Sequence, residues 1–320
     1  MRAIVTGGAG FIGSYLVEEL INRKYDVTIL DNLFRGSYEN IAHLIKGKNF
    51  FYQLDLAAEK NVRQITEILL KERPDFIYHY AAINGTQYFY EIPAKVLEVN
   101  INATYNLMQA LRIAKQQNPD FSTKIIYASS SEVYGDPVSI PSKETDVTYI
   151  TTGHIRDSYA ASKLCGEFYV KLLSEEIGIE WIILRLFNVY GKRMIGTKYG
   201  QVIPEFIQRL REGKYPLSVY GNGEHKRSFC YVTDNVEDTI DLSVSDVKND
   251  IFNVGNNSEV SILELGSMVM QKMGMIPQFQ FLPEREGDHK RRCPDTSKLH
   301  AVIGERSYIT LDEGIEFMLQ

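Results

Sequence analysis

Residues Ala3-Ile-Val-Thr-Gly-Gly-Ala-Gly-Phe-Ile-Gly13 constrain this chain more than any other stretch, because a short apolar run enters a glycine-punctuated turn and leaves it as a helix. Gly8, Gly10 and Gly13 satisfy G-x-G-x-x-G, and Gly7, Gly10 and Gly13 satisfy the looser G-x-x-G-x-x-G. Glycine suits such a turn because positive φ is open to it and because a side chain would hold a pyrophosphate away from the backbone. The helix beginning near Gly10 would point free N–H groups and its positive dipole end at that pyrophosphate.

Glycine turns between strand and helix also arise from tight packing alone, so the next strand matters. Asp26-Val-Thr-Ile-Leu30 reads as a strand ending at Asp31, about 20 residues beyond the glycines, where a dinucleotide-binding unit carries a ribose-binding acid. A carboxylate there accepts hydrogen bonds from the adenosine ribose and repels a 2′-phosphate. NAD is therefore expected rather than NADP, with Arg35 the nearby residue that pulls the other way.

A length of 320 residues suffices for one large α/β unit or two intimately joined domains. No apolar run reaches the ~18 residues of a membrane-spanning helix, and the chain opens directly on its first strand with no room for a signal peptide. Cys165, Cys230 and Cys293 are odd in number and widely spaced. They make neither a disulfide framework nor a zinc pattern, so no metal and a reducing, cytoplasmic setting are expected. The net charge of -6 argues against a nucleic-acid partner.

From the N-terminus to Leu186, strand and helix patterns alternate. Strands are expected at Ala3–Thr6, Val27–Leu30, Phe50–Leu54, Phe76–His79, Lys124–Ser129 and Trp181–Leu186. Helices are expected near Phe11–Arg23, Lys60–Lys71, Lys95–Gln116 and Ser158–Ile177. Alternation of this kind implies a parallel sheet with helices on both faces. Continuous apolar runs such as Trp181-Ile-Ile-Leu184 fit strands covered on both sides.

Ligands of such sheets sit beyond the C-terminal strand ends, and the informative residues follow strands. Asp55-Leu56 is placed to meet an adenine, and Tyr80-Ala81-Ala82 offers small residues where a cofactor lies flat. His79 reads as a core histidine. Ser129-Ser-Ser-Glu132 puts hydroxyls and one acid at a strand end, where polar groups are costly unless a ligand uses them. Tyr159-Ala-Ala-Ser-Lys163 then opens a helix. With 20 tyrosines and 35 basic residues, roughly two such spacings arise by chance, so position gives this one its weight. At i and i+4 the ammonium would stabilise the phenolate and draw the phenol pKa down from ~10, making a general base for a sugar hydroxyl. Ser130 would orient that hydroxyl, and Lys163 would also hold the nicotinamide ribose.

The glycine turn, Asp31, Ser-Ser-Glu-Val-Tyr-Gly and Tyr-x-x-x-Lys, in this order, resemble the extended short-chain dehydrogenase/reductases, the nucleotide-sugar epimerases, dehydratases and decarboxylases. The resemblance implies an α/β fold: a Rossmann-type doubly wound parallel sheet (1–186) carrying the catalytic residues Ser130, Glu132, Tyr159 and Lys163. A smaller mixed α/β substrate-binding region (187–320) would follow, with strands or helices exchanged back. Cofactor contacts implied are Gly7, Gly10, Phe11, Ile12, Gly13, Asp31, Asn32, Asp55, Leu56, Tyr80, Ala81, Ala82 and Asn100, besides Tyr159 and Lys163. For the nucleotide-diphosphate sugar they are Ser131, Asn188, Val219, Arg227 and Arg285. The family also implies a homodimer paired through the helices at Lys95–Gln116 and Ser158–Ile177.

The expected first step is oxidation at sugar C4. Glu132 matches the acid that removes the C5 proton in 4,6-dehydratases, although many sugar dehydratases have aspartate where this chain has Ser131. UDP-glucuronate decarboxylases are resembled as closely, yet they carry a carboxylate-gripping arginine at a position that matches Gln201, and an amide cannot replace a bidentate charge pair. Dehydration is therefore placed first, decarboxylation second and epimerisation third. An NAD(H)-binding regulatory protein is the non-enzymatic alternative. The loop Val138–Arg156 contributes His154 and Arg156 as further sugar-pocket candidates.

Overall fold

A computed structural model describes residues 1–194, 201–284 and 291–320. The first half runs β1 (Arg2–Thr6), α1 (Phe11–Asn22), β2 (Asp26–Asp31), β3 (Phe50–Gln53), α2 (Val62–Glu72), β4 (Phe76–His79), α3 (Tyr88–Glu91), α4 (Pro93–Gln117), β5 (Lys124–Ser130), α5 (Asp157–Ile177) and β6 (Glu180–Leu186). The second half adds β7 (Val189–Tyr190), α6 (Val202–Arg211), β8 (Leu217–Tyr220), β9 (Lys226–Ser228), β10 (Cys230–Tyr231), α7 (Val232–Val244) and β11 (Asp250–Val254). It closes with β12 (Glu259–Ser261), α8 (Ile262–Lys272), β13 (Phe279–Leu282), β14 (Arg291–Arg292), α9 (Ser297–Ile303) and α10 (Leu311–Leu319).

Seven strands form one parallel sheet in the order β3-β2-β1-β4-β5-β6-β11. The central strands bury alternate residues in opposite layers, because side chains point to opposite faces with a period of two. Ala3, Val5, Ile182 and Leu184 face one core with Leu16 and Leu20 of α1 and Val236 and Ile240 of α7. Ile4, Trp181 and Ile183 face the other with Ile65 of α2, Leu107 of α4 and Val170 of α5. This two-sided burial is why the strands read as continuous apolar runs.

Element positions depart from expectation at the ends. The long helix begins at Pro93, whose fixed φ and missing N–H suit a first helical turn. The short α3 has no counterpart in the sequence reading. Strand order reverses between β1 and β4, both starting from the middle of the sheet, and the crevice there opens the cleft described next. The C-terminal region forms small sheets, β8 with β13 and β9 between β12 and β14, and returns β11 to the main sheet beside β6.

Candidate active site

A single cavity of about 840 Å³ spans the C-terminal ends of the main strands and the small sheets beyond them, bringing the glycine turn and Tyr159 to one space. Its first wall is backbone. Gly7 takes φ +70° and its N–H donates to the Leu30 carbonyl at 2.8 Å; a Cβ there would sit 2.7 Å from the Ala81 nitrogen. A Cβ at Gly13 would run into the Gly7 carbonyl. Helix α1 starts on Gly10 with no side-chain cap, leaving its first N–H groups for a ligand. The Asp31 carboxylate accepts from Ala9 N–H at 3.0 Å and Leu33 N–H at 2.8 Å, while burial pushes its pKa up. Arg35 lies over the Tyr88 ring, 5.1 Å from its centre.

Of the expected cofactor contacts, Gly7, Gly10, Phe11, Ile12, Gly13, Asp31, Asn32, Asp55, Leu56, Tyr80, Ala81 and Ala82 line the cavity. Asn100 does not. Its amide is buried and accepts from Ile83 N–H at 2.7 Å while donating to the Ile83 carbonyl at 3.2 Å and to Ser162 at 3.1 Å, so it braces the loop behind the cleft. His79 is a core residue, bonded to Thr6 and Thr104 and held neutral by burial, which brings its pKa down to about 3.

The second wall is built of side chains. Tyr159 and Lys163 lie one turn apart on α5, and both line the cavity with Ser130, Ser131 and Glu132 from the end of β5. Lys163 Nζ donates to the Ala128 carbonyl at 2.7 Å and sits 6.0 Å from the centre of the Tyr159 ring. Burial raises the Tyr159 phenol pKa, aided by the Glu132 charge and opposed by Ser130 and Arg292. This reverses the expected depression of the phenol. Desolvation is the largest cause, and it also pulls the neighbouring ammonium down to about 7.

Two arginines meet Glu132. Arg292 of β14 donates from both terminal nitrogens, at 2.6 and 3.0 Å, to its two oxygens, and Arg156 donates at 3.0 Å to Oε1. Arg292 is 5% exposed, and its Nε is buried with no hydrogen-bond partner among the described residues. Phe89 of α3 stacks on Tyr159 with ring centres 4.5 Å apart. Neither Arg292 nor Phe89 was singled out from sequence. Arg292 stands 160 residues from Glu132 along the chain, and its only signal is the basic Arg291-Arg292 pair in an acidic protein.

Asn188, Val219, Arg227 and Gln201 also line the cavity. Asn188 donates to the Ser228 carbonyl at 2.8 Å. Arg285 lies outside the described residues. Gln201, which matches the position of the decarboxylases' carboxylate-gripping arginine, shares this cavity with Arg292 and Arg156. His154 does not line the cavity, whereas Arg156 does.

Residues 3–255 match the model of the NAD dependent epimerase/dehydratase family. The chain belongs to that family. It is 35% identical over 320 residues to UDP-glucuronic acid decarboxylase 1 of Arabidopsis thaliana, covering all of this chain and 69% of the relative. It is 32% identical to the UDP-N-acetyl-alpha-D-glucosaminuronate decarboxylase of Bacillus cytotoxicus, covering all of this chain and 97% of that protein. Among solved structures it resembles the Thermus thermophilus UDP-glucose 4-epimerase in complex with NAD, with TM-score 0.86 and 31% identity over 100% of this chain and 98% of that one. Membership makes this an NAD-dependent nucleotide-sugar enzyme, and the glycine cradle, the uncapped start of α1 and Asp31 fit that cofactor. Among the described residues no helix is long and apolar enough to cross a membrane.

Proposed function

We propose that the protein decarboxylates a UDP-linked hexuronic acid after oxidising it at C4. The observation that carries this reading is the guanidinium of Arg292, paired with Glu132 in the same cavity as Tyr159. An arginine fork binds a carboxylate through two parallel N–H donors, and a sugar carboxylate can take the place that Glu132 holds. Both decarboxylases named above act, by their names, on UDP-linked sugar acids, which favours the same order of reactions.

On this reading Tyr159 accepts the C4 hydroxyl proton, Ser130 orients that hydroxyl and Lys163 supports the resulting charge. NAD, which Gly7, Gly10, Gly13 and Asp31 would hold, would supply the acceptor for the C4 hydride and the source of its return to C4 once carbon dioxide has left. With a ketone at C4 the C6 carboxylate becomes a β-keto acid. Its C5–C6 bond breaks, carbon dioxide leaves, and the electron pair remains on C5 as an enolate that then takes up a proton. Arg292 and Arg156 orient the carboxylate for that cleavage. Asn188, Ser131, Val219 and Arg227 line the space available to the nucleotide and its phosphates. Dehydration would use Glu132 as a free base, whereas here two arginines engage it.

Copies of the chain are proposed to pair through α4 and α5, where Tyr105, Phe168 and Leu172 are exposed and Tyr105 meets Tyr169. Competition binding tests the substrate reading: NAD-loaded protein should hold UDP-glucuronic acid at least tenfold more tightly than UDP-glucose. Equal affinity would contradict it.

A further inference from the structure

Lys163 is a buried cation, and the groups around it come from two strands as well as its own helix. Tyr127 of β5 presents its ring 5.1 Å away, His79 of β4 is neutral, and Tyr159 lies one turn back on α5. Glu132, with Arg156 and Arg292, faces Tyr159 rather than the lysine. The anion acting on Lys163 is Glu167, one further turn along the same helix face, so that Tyr159, Lys163 and Glu167 form a ladder at i, i+4 and i+8.

Glu167 is itself fixed on every side. Arg185 of β6 grips it with Nε at 3.0 Å and a terminal nitrogen at 2.8 Å, on opposite oxygens. The Ser129 hydroxyl donates to Oε1 at 2.5 Å. All four of Glu167, Arg185, Ser129 and Lys163 are buried. One carboxylate therefore faces two buried cations, and Arg185 takes the stronger share.

We propose that Glu167 is a positioning residue that decides where the proton shared by Tyr159 and Lys163 resides, favouring ammonium and phenolate over amine and phenol. The inference rests on Tyr159 being the base. The two arrangements contain the same number of protons, so total charge cannot separate them; only the field at each site does. A buried amine without a counter-charge gives up its proton readily, and burial has already brought Lys163 to about 7. Glu167 opposes that loss, and Arg185 limits how far.

The test reads Lys163 directly in the NAD-loaded protein, through the titration of its side-chain carbon signal by lysine-selective NMR, assigned by its disappearance in Lys163→Arg. Glu167→Gln should move this titration down by about one pH unit or more. The plateau turnover rate should fall roughly tenfold for each unit, with KM unchanged. Arg185→Met should move the titration up, since Glu167 is then left to Lys163 alone.

Glu167→Gln leaves Arg185 buried without a partner, so the double variant Glu167→Gln/Arg185→Met, which removes both charges, provides the folded control. It should keep the downward shift. A wild-type titration in the double variant, or a downward shift in Arg185→Met, would show Glu167 to be only the partner of Arg185. The titration does not depend on turnover. An active Tyr159→Phe variant would thus refute the base assignment while leaving the Lys163 shift intact.

Discussion

At the β1–β2 end of the cleft the wall is mostly main chain, glycines without side chains and the uncapped start of α1, with the Asp31 carboxylate held by the N–H groups of Ala9 and Leu33. At the β5–β6 end the wall carries charged side chains, with a second, buried charge pair outside the lining. Glu132 lies against Arg156 and Arg292, and Glu167 against Arg185. A backbone cradle is made by one short stretch of chain and tolerates no added atoms. A charge cluster tolerates changes of shape but not the loss of a partner, because the remaining ion stays out of water. Substitutions at the two ends should therefore fail differently, one losing cofactor and the other losing chemistry.

The largest expected effect is at the charged end. Tyr159→Phe should lower turnover by ~10²–10⁴-fold while NAD remains bound, as measured by equilibrium dialysis and steady-state rates. Loss of NAD together with activity would erase the distinction between the ends. Arg292→Gln should weaken handling of a uronic acid substrate by about 30-fold or more, the lower bound for truncating one member of a buried charge pair. UDP-glucose binding should hardly change, and an equal loss for both sugars would mean that Arg292 supports the fold rather than the carboxylate.

At the backbone end, Gly13→Val should reduce NAD affinity by about tenfold, in line with the ~1–3 kcal/mol of overpacking. The smallest effect comes from a buried charge remote from the chemistry. Asp238 of α7 is completely buried, accepts from Tyr308 at 2.8 Å and has its pKa pushed up to about 7 by desolvation. A carboxylate raised in the folded state binds its proton more tightly there than when unfolded. Its contribution to stability is full below the ordinary carboxylate value and is lost as pH rises through about 7. Asp238→Asn should therefore flatten the fall in melting temperature between pH 4 and 7 by a few degrees. An unchanged slope would assign that fall to other groups.

The difference between the two ends also explains what could be read from sequence. Gly7 to Gly13, Asp31 and the Tyr159–Lys163 spacing are local patterns, each requiring only one strand and one turn of helix, and they meet in the cleft as expected. The parallel sheet with helices on both faces followed from alternation for the same reason. Arg292 escaped because its partner is 160 residues away and no spacing rule links β14 to the end of β5. Ranked by Gln201 alone, dehydration stands ahead of decarboxylation, an order that the decarboxylases among the relatives do not favour. Phe89 escaped because α3 is a single turn whose place is set by the Tyr159 ring it covers. The raised Tyr159 pKa is not legible in sequence, because a helix spacing gives the ammonium's position but not the depth of burial.

The most direct measurement supplies the NAD-loaded protein with UDP-glucuronic acid labelled in its carboxyl carbon and traps the gas released. The account predicts labelled carbon dioxide in step with formation of a UDP-pentose, abolished in Tyr159→Phe and severely reduced in Arg292→Gln. Label retained in the sugar, with a product of unchanged mass or one lighter by a water molecule, would contradict it.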